Sequence, residues 1–303
     1  FVPEISGPVA EQAIGILRPG DIAILENTRF WKGEEKNDPE LVKAIAEIGD
    51  FYVNDAFSAA HRAHATTEGL AHALPAYAGR SMQAELEALD TALGSPVKPV
   101  AALVGGAKVS SKLDVLKHLV TQVEHLIIGG GMANTFFLAQ GLEVGRSLVE
   151  EEMVETARSV LAEAAERDIE FVLPSDVVVA DAIEDPQRVE VVANNAIPAE
   201  MMVVDIGPEA RARYREVLGS ARTIFWNGPM GVFEIAQFAA GTLAVAEALA
   251  ASPGFSVVGG GESVMAIRQA GVIDDIDHVS TGGGASLQFI TGEGMPALAA
   301  LES

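Results

Sequence analysis

Residues 100–112 read VAALVGGAKVSSK, a short apolar run, two glycines, and two lysines spaced four apart. A run of Val, Ala and Leu without a polar interruption is what a central parallel strand looks like when both its faces are covered. Gly105 and Gly106 let the backbone turn sharply and be approached closely. The spacing then predicts Lys108 and Lys112 on one face of the first turns of a following helix. Two cations at the positive end of a helix dipole repel each other and the dipole, an arrangement that makes sense when an anion sits between them. On this stretch alone, a pair of solvated lysines on an ordinary helix is an equal reading.

Around it, strand and helix alternate. Strands are expected at 100–104, 125–128, 171–173, 203–205, 223–226, 256–258 and 278–280, with helices such as 150–167 and 236–251 between them. That alternation implies a parallel sheet with right-handed crossovers and helices on both faces. Before it, the sequence predicts a helix over 7–17, a strand over 22–25 running into Arg29, a helix over 39–49 begun by Asp38 and Pro39, and a strand over 51–53. That last strand leads into the loop NDAFSAAHRAHATT, which carries His61, Arg62 and His64. An amphipathic helix over 79–93 and the stiff turn GSPVKP connect the two parts. The expected divisions are 1–78, a connector 79–95, a second domain 96–290, and a carboxyl-terminal segment 291–303 returning toward the first.

The chain of 303 residues has 43 acidic and 20 basic residues, a formal charge of −23. Such a charge repels polyanions, arguing against nucleic acid or an anionic membrane as partner. It also makes any local basic cluster informative. There is no cysteine, so neither disulfides nor thiolate metal sites are available, and a reducing cytoplasm is compatible. No apolar stretch is long enough to span a bilayer.

Five expected strands end in glycine clusters: GGAK at 105–108, GGGM at 129–132, NGPMG at 227–231, GGGES at 259–263 and TGGGAS at 281–286. On one sheet edge they would strip side chains from the rim, leave backbone N–H groups exposed and aim several helix starts at one crevice, which describes a polyphosphate site. Neither GxGxxG nor GxxxxGK[ST] is present, so a dinucleotide-dependent oxidoreductase and a Walker-A enzyme are both disfavoured. Glu262 is a candidate Mg²⁺ ligand or a carboxylate satisfying a helix end. Glu234 is placed to accept from ribose hydroxyls or to start a helix, and Asn227 to bond a phosphate or cap a turn. Arg29 and Arg62, each following a strand, are candidates for a shared carboxylate or phosphate. His61 and His64 have metal-like spacing, but with no carboxylate pair nearby a metal site is the weaker reading.

GGAKVSSK, GGGMANTF, WNGPMGVFE, GGGES and STGGGAS, preceded by LENTRF and VNDAFSAAHRAH, resemble the phosphoglycerate kinase family along essentially the whole chain. The resemblance implies an α/β fold of two Rossmann-like parallel-sheet domains joined by a helix. It implies Mg²⁺-dependent phosphoryl transfer between 1,3-bisphosphoglycerate and ADP, giving 3-phosphoglycerate and ATP, by a cytoplasmic monomer. It further implies that Arg29 and Arg62 bind 3-phosphoglycerate, and that Gly105, Lys112, Gly129, Gly130, Asn227, Glu234, Gly260, Gly261, Glu262 and Ser263 hold the nucleotide, Glu262 through the metal. Lys108, Lys112, Gly283 and Gly284 would serve the transferred group, and Glu85 with His278 would form a hinge pair. The family usually has aspartate where this chain has Glu262. Its amino-terminal RVDFNVP-like and HxGRP-like segments do not occur here, so the first domain is expected to be incomplete, to expose apolar surface, and to leave a chain that binds nucleotide but transfers phosphate poorly.

Overall fold

In a computed structural model, residues 1–302 are described, and the chain divides into two compact units, Phe1–Glu87 with Gly284–Ser303, and Ala88–Gly283. The first divide falls inside the helix Arg80–Leu89, which passes into a π-helical turn at Asp90–Gly94. The second falls at Gly283, ahead of the expected 290.

In the first unit, two short strands, β1 (Tyr52–Asn54) and β2 (Ala76–Ala78), pair in parallel. The strand expected over 22–25 is reduced to a single parallel bridge between Val2 and Leu25. With so few backbone partners it has no ladder to extend. Helix Pro39–Ala46 starts as expected: Asp38 accepts from the N–H groups of Glu40 and Leu41, and Pro39 stands at the first position. Its inner face, Val42 and Ile45, packs with Ile5, Ala65 and Leu70 into a small core.

The second unit is built on β3 (Val100–Val104), β4 (His125–Ile128), β5 (Glu170–Val172), β6 (Asp176–Ala180), β7 (Val189–Ala193), β8 (Met202–Ile206), β9 (Thr223–Asn227), β10 (Phe255–Gly259) and β11 (His278–Val279). Six of these form one sheet in the order β11-β10-β9-β3-β4-β5, every pair parallel. Every side chain of β3 and of β9 is buried. The chain order therefore reverses between β3 and β9, the switch point beyond whose carboxyl ends open α/β sheets bind ligands.

Where a seventh parallel strand was expected at 203–205, β8 lies instead in a separate antiparallel sheet of order β7-β6-β8. The sequence does not predict its partner β6, or β7 beyond it. β7 exposes most of its side chains, so it shows no continuous apolar run. β6 opens at Asp176, whose carboxylate accepts from the N–H groups of Glu209 and Ala210 and so caps the helix Pro208–Ser220. Among the described residues no helix is long and apolar enough to cross a membrane.

Candidate active site

The turns after β3, β4 and β9 lock together backbone to backbone. Gly105 N–H donates to Asn227 O, Gly106 N–H to Pro229 O, Gly130 N–H to Met230 O, and Met132 N–H to Gly106 O. A Cβ on Gly105 would lie 2.1 Å from Pro229 O, and one on Gly130, whose φ is +68°, would lie 2.7 Å from Gly106 N. Here the glycines exist for close approach of main chains. This corrects part of the sequence expectation: the N–H groups of Gly105, Gly106 and Gly130 are not presented to an anion, because neighbouring carbonyls take them. Open space remains at Gly261, Gly283 and Gly284, where an added Cβ would meet nothing within 4 Å.

Lys112 sits on that seam. Its Nζ donates to Gly105 O at 2.8 Å, to Asn227 O at 2.9 Å, and to Asn227 Oδ1. Burial pushes the Lys112 ammonium down to about 8, while the charge of Glu262 pulls the other way. Asn227 is buried, and its Nδ2 is a buried donor with no hydrogen-bond partner. A Cβ on Gly260 would lie 3.0 Å from this nitrogen, so the orphan donor faces the turn that starts the helix Gly261–Gln269. Glu262 is exposed in the first turn of that helix. Ser263 is buried and its hydroxyl accepts the Gly228 N–H at 2.6 Å, which ties the β9 turn to the β10 turn.

The two lysines do not share a helix face. Ser110–Lys112 is a 3-10 turn, the helix begins at Leu113, and Lys108 lies exposed in the preceding loop. The reason is one local bond that competes for the backbone and one distant partner that captures Ser110. Ser111 Oγ donates to Lys108 O at 2.8 Å, and the Ser110 N–H donates to Glu150 Oε2 at 3.0 Å, with the Ser110 hydroxyl donating to Glu150 Oε1.

Next to this seam lies a cavity of about 230 Å³. Gly106, Ala107, Gly130 and Gly131 line one side, the segment 229–232 another, and Leu148, Met202 and Val204 form an apolar wall, with Glu234 and Glu262 at the same cavity. Leu148 and β8 were not singled out from sequence. No local pattern signals them, because β8 reaches the site through the second sheet. Asp205 also belongs to this wall: it is buried, its Oδ2 accepts the Gly241 N–H at 2.6 Å, and its Oδ1 has no partner. Burial pushes the Asp205 carboxyl up to about 7 against the bonds from Gly241 and Ile206.

In the first unit, Arg29 and Arg62 are exposed, and neither forms an ion pair among the described residues. Arg29 lies in the 3-10 turn Thr28–Phe30, where Asn27 Oδ1 accepts its backbone N–H. The Arg62 loop is held from beneath: Thr67 Oγ1 donates to Arg62 O at 2.6 Å, Tyr52 donates to Thr66 O at 2.8 Å, and the buried Glu34 accepts the Thr66 hydroxyl. Arg62 Nε donates to His61 Nε2 at 3.2 Å. Burial first, and then the neighbouring Arg62 charge, lowers the His61 pKa, which suits a neutral acceptor. Glu85 is buried in the helix Arg80–Leu89 and His278 opens β11.

A metal here would draw on carboxylate and phosphate oxygens. No group of three or more His, Cys, Asp or Glu is placed to hold an ion among the described residues. The exposed Glu262 carboxylate beside the cavity suits Mg²⁺, which is normally held by one or two carboxylates with substrate phosphates completing its shell.

The sequence matches the model of the family described as phosphoglycerate kinase over residues 1–293. It is 53% identical to the phosphoglycerate kinase of Zymomonas mobilis and 55% identical to that of Rhizorhabdus wittichii, each over 307 aligned positions covering 100% of this chain and 77% of the relative. Among solved structures, the phosphoglycerate kinase of Coxiella burnetii superposes with a TM-score of 0.91 at 44% identity, covering 94% of this chain and 74% of that one. The Pyrococcus horikoshii enzyme gives 0.85 at 36% identity, covering 99% and 77%. With the reversal of strand order at β3 and β9 and the half-buried lysine set between them, these matches establish that the chain belongs to the phosphoglycerate kinase family.

Proposed function

We propose that this chain binds a magnesium adenine nucleotide in its second unit and 3-phosphoglycerate through Arg29 and Arg62 in its first. The reaction is the family's reversible transfer. The bond between phosphorus and the carboxyl oxygen of 1,3-bisphosphoglycerate breaks as a bond to the terminal phosphate oxygen of ADP forms, with no net proton or electron exchanged. The observation that carries the nucleotide half is the placing of the half-buried Lys112 ammonium beside the buried, unpartnered Asn227 Nδ2 at the switch point. A buried donor left without a partner costs about 1–3 kcal/mol, which an anion there would offset. The apolar wall at Leu148, Met202 and Val204 offers a base its flat contact, and Glu234 offers an acceptor for ribose hydroxyls.

Phosphoryl transfer requires positioning and charge stabilisation more than covalent help. Lys112 holds the nucleotide phosphates in the ground state, while the exposed Lys108 accompanies the migrating group. The open backbone at Gly283 and Gly284 receives its oxygens, and Glu85 with His278 serves as a hinge pair. Glu262 would hold Mg²⁺, which would supply neutralisation of the polyphosphate charge.

Calorimetric titration with ADP tests this reading. Lys112→Ala should weaken binding at least tenfold whether or not Mg²⁺ is present, whereas Glu262→Ala should weaken it strongly with Mg²⁺ and little in EDTA, since that carboxylate acts through the ion. Unchanged affinity in Lys112→Ala would end the assignment of the nucleotide site. Equal losses for Glu262→Ala in both conditions would leave Glu262 as a helix-end carboxylate.

A further inference from the structure

The strand order and the glycine turns account for where Lys112 sits, but nothing in them fixes the loop that carries Lys108. That loop is held by a strap. Residues 146–150 run beside the cavity and are bonded at three points along the way: Arg146 N–H donates to Met201 O at 2.8 Å, the Ser147 hydroxyl accepts the Val203 N–H at 2.9 Å, and Leu148 O accepts from Asn134 Nδ2 at 3.1 Å. The strap ends at Glu150, whose own N–H donates to Thr135 Oγ1 at 3.1 Å, on the helix Met132–Ala139. Its carboxylate, buried although charged, takes both donors of Ser110. Burial works to raise the Glu150 pKa, but the bonds from Ser110 and Val109 and the charge of Lys108 outweigh it and hold the carboxyl below its ordinary range. It is therefore ionised at neutral pH.

Ser110 lies midway between the two lysines. Lys112 has three oxygen acceptors of its own on Gly105 and Asn227, so its place does not depend on Glu150. Lys108 is exposed and has no ion pair among the described residues. Its backbone is fixed through Ser111 and, one step further, through the Ser110 to Glu150 contact. The strap also carries Leu148 in the cavity wall, so the same five residues touch the nucleotide pocket at their middle and the Lys108 loop at their carboxyl end.

We infer that Glu150 is a positioning residue for the transfer step: by clamping Ser110 it sets where the Lys108 ammonium stands relative to the bound nucleotide. This rests on the role proposed above for Lys108. A displacement of about 1 Å in a group acting on the transition state can cost about 10²-fold in rate, while ground-state affinity, carried by Lys112, is untouched.

The test is steady-state kinetics of the complete enzyme, with nucleotide affinity measured separately. Glu150→Ala should lower kcat by about 10²-fold and leave the ADP Kd within about twofold. Glu150→Gln, whose amide can both accept from the Ser110 N–H and donate to its hydroxyl, should recover most of the loss. Ser110→Ala, at an exposed position, should lower kcat several-fold with the Kd unchanged, and it carries the test if Glu150→Ala does not fold. In a Lys108→Ala background, Glu150→Ala should have almost no further effect on kcat. If kcat falls in Lys108→Ala but stays within about twofold of the parent in Glu150→Ala and Ser110→Ala, the clamp is overturned and the Lys108 role stands. Losses that add in the double variant, or that appear in the Kd instead of kcat, make Glu150 a structural carboxylate and likewise overturn it. A Lys108→Ala enzyme with full kcat removes the Lys108 role, and the inference about Glu150 falls with it.

Discussion

The two units solve the same packing problem to different degrees. In the second, β3 and β9 are buried along their whole length, and Trp226, Tyr214, Phe136 and Phe225 are fully enclosed. In the first, β1 and β2 form a two-stranded sheet, and Phe1, Ile16, Ile22, Ile24, Phe30, Phe51 and Tyr77 stand exposed. A parallel sheet needs cover on both faces, and two strands of three residues cannot bury enough apolar surface to be self-sufficient. Site precision follows enclosure. The seam around Lys112 is fixed by main-chain bonds between turns, whereas Arg29 and Arg62 are carried by exposed segments ordered by a few side-chain bonds, from Asn27 at Arg29 and from Glu34, Tyr52 and Thr67 at Arg62.

The largest effect should come from opening the enclosed unit. Trp226 has no exposed surface and donates its indole N–H to Gly228 O at 2.7 Å, next to the turn that meets Lys112. Trp226→Ala should cost about 3–5 kcal/mol by denaturant unfolding and weaken ADP binding at the same time, since the core and the Gly228 turn share this side chain. A loss below about 1 kcal/mol would mean that the second unit is no better packed than the first, and the contrast would disappear.

How legible each part was follows from the range of the interactions that make it. β3 and β4 could be read to the residue because continuous apolar runs bounded by glycine are local signals. The helix expected to carry both lysines failed for a reason that acts at distance: Ser110 bonds to Glu150, 40 positions away. Lys112 reaches Asn227 across 115 positions, and the glycine clusters identified that meeting without showing that the N–H groups of Gly105, Gly106 and Gly130 would be spent on neighbouring turns. The second sheet was invisible because β8 reads like any buried strand, and only its antiparallel partner β6 reveals that it has left the main sheet.

A second effect, spread over the pH range, comes from a buried acid. Asp205 has a folded pKa of about 7, raised by burial from 3.8. Between those values the folded chain keeps a proton that the unfolded chain has lost. Stability should therefore fall as pH rises from about 4 to 7, by at most about 1.4 kcal/mol per unit, and level off above. Asp205→Asn cannot ionise, so it should flatten that slope and exceed the parent in stability by more at pH 8 than at pH 4. Parallel stability curves for the two proteins would show that Asp205 is charged in the folded state, and that its wall of the cavity is wetter than the structure indicates.

The smallest effect on stability is expected where the first unit is most open. Phe51 precedes β1, is 62% exposed, and meets Tyr77 edge to face with ring centroids 6.2 Å apart. Most of its surface is already in water, so Phe51→Ser forfeits little burial and should change stability by about 0.5 kcal/mol or less, as surface substitutions usually do. The exposed aromatic is nonetheless part of an apolar patch of the kind that drives association. In the chain of residues 1–303, light scattering at rising concentration should therefore fall in Phe51→Ser while the melting temperature holds. A clear loss of melting temperature would mean that the Phe51 and Tyr77 pair is a core of its own. The first unit would then be stabilised from its surface, and enclosure would no longer be what distinguishes the two units.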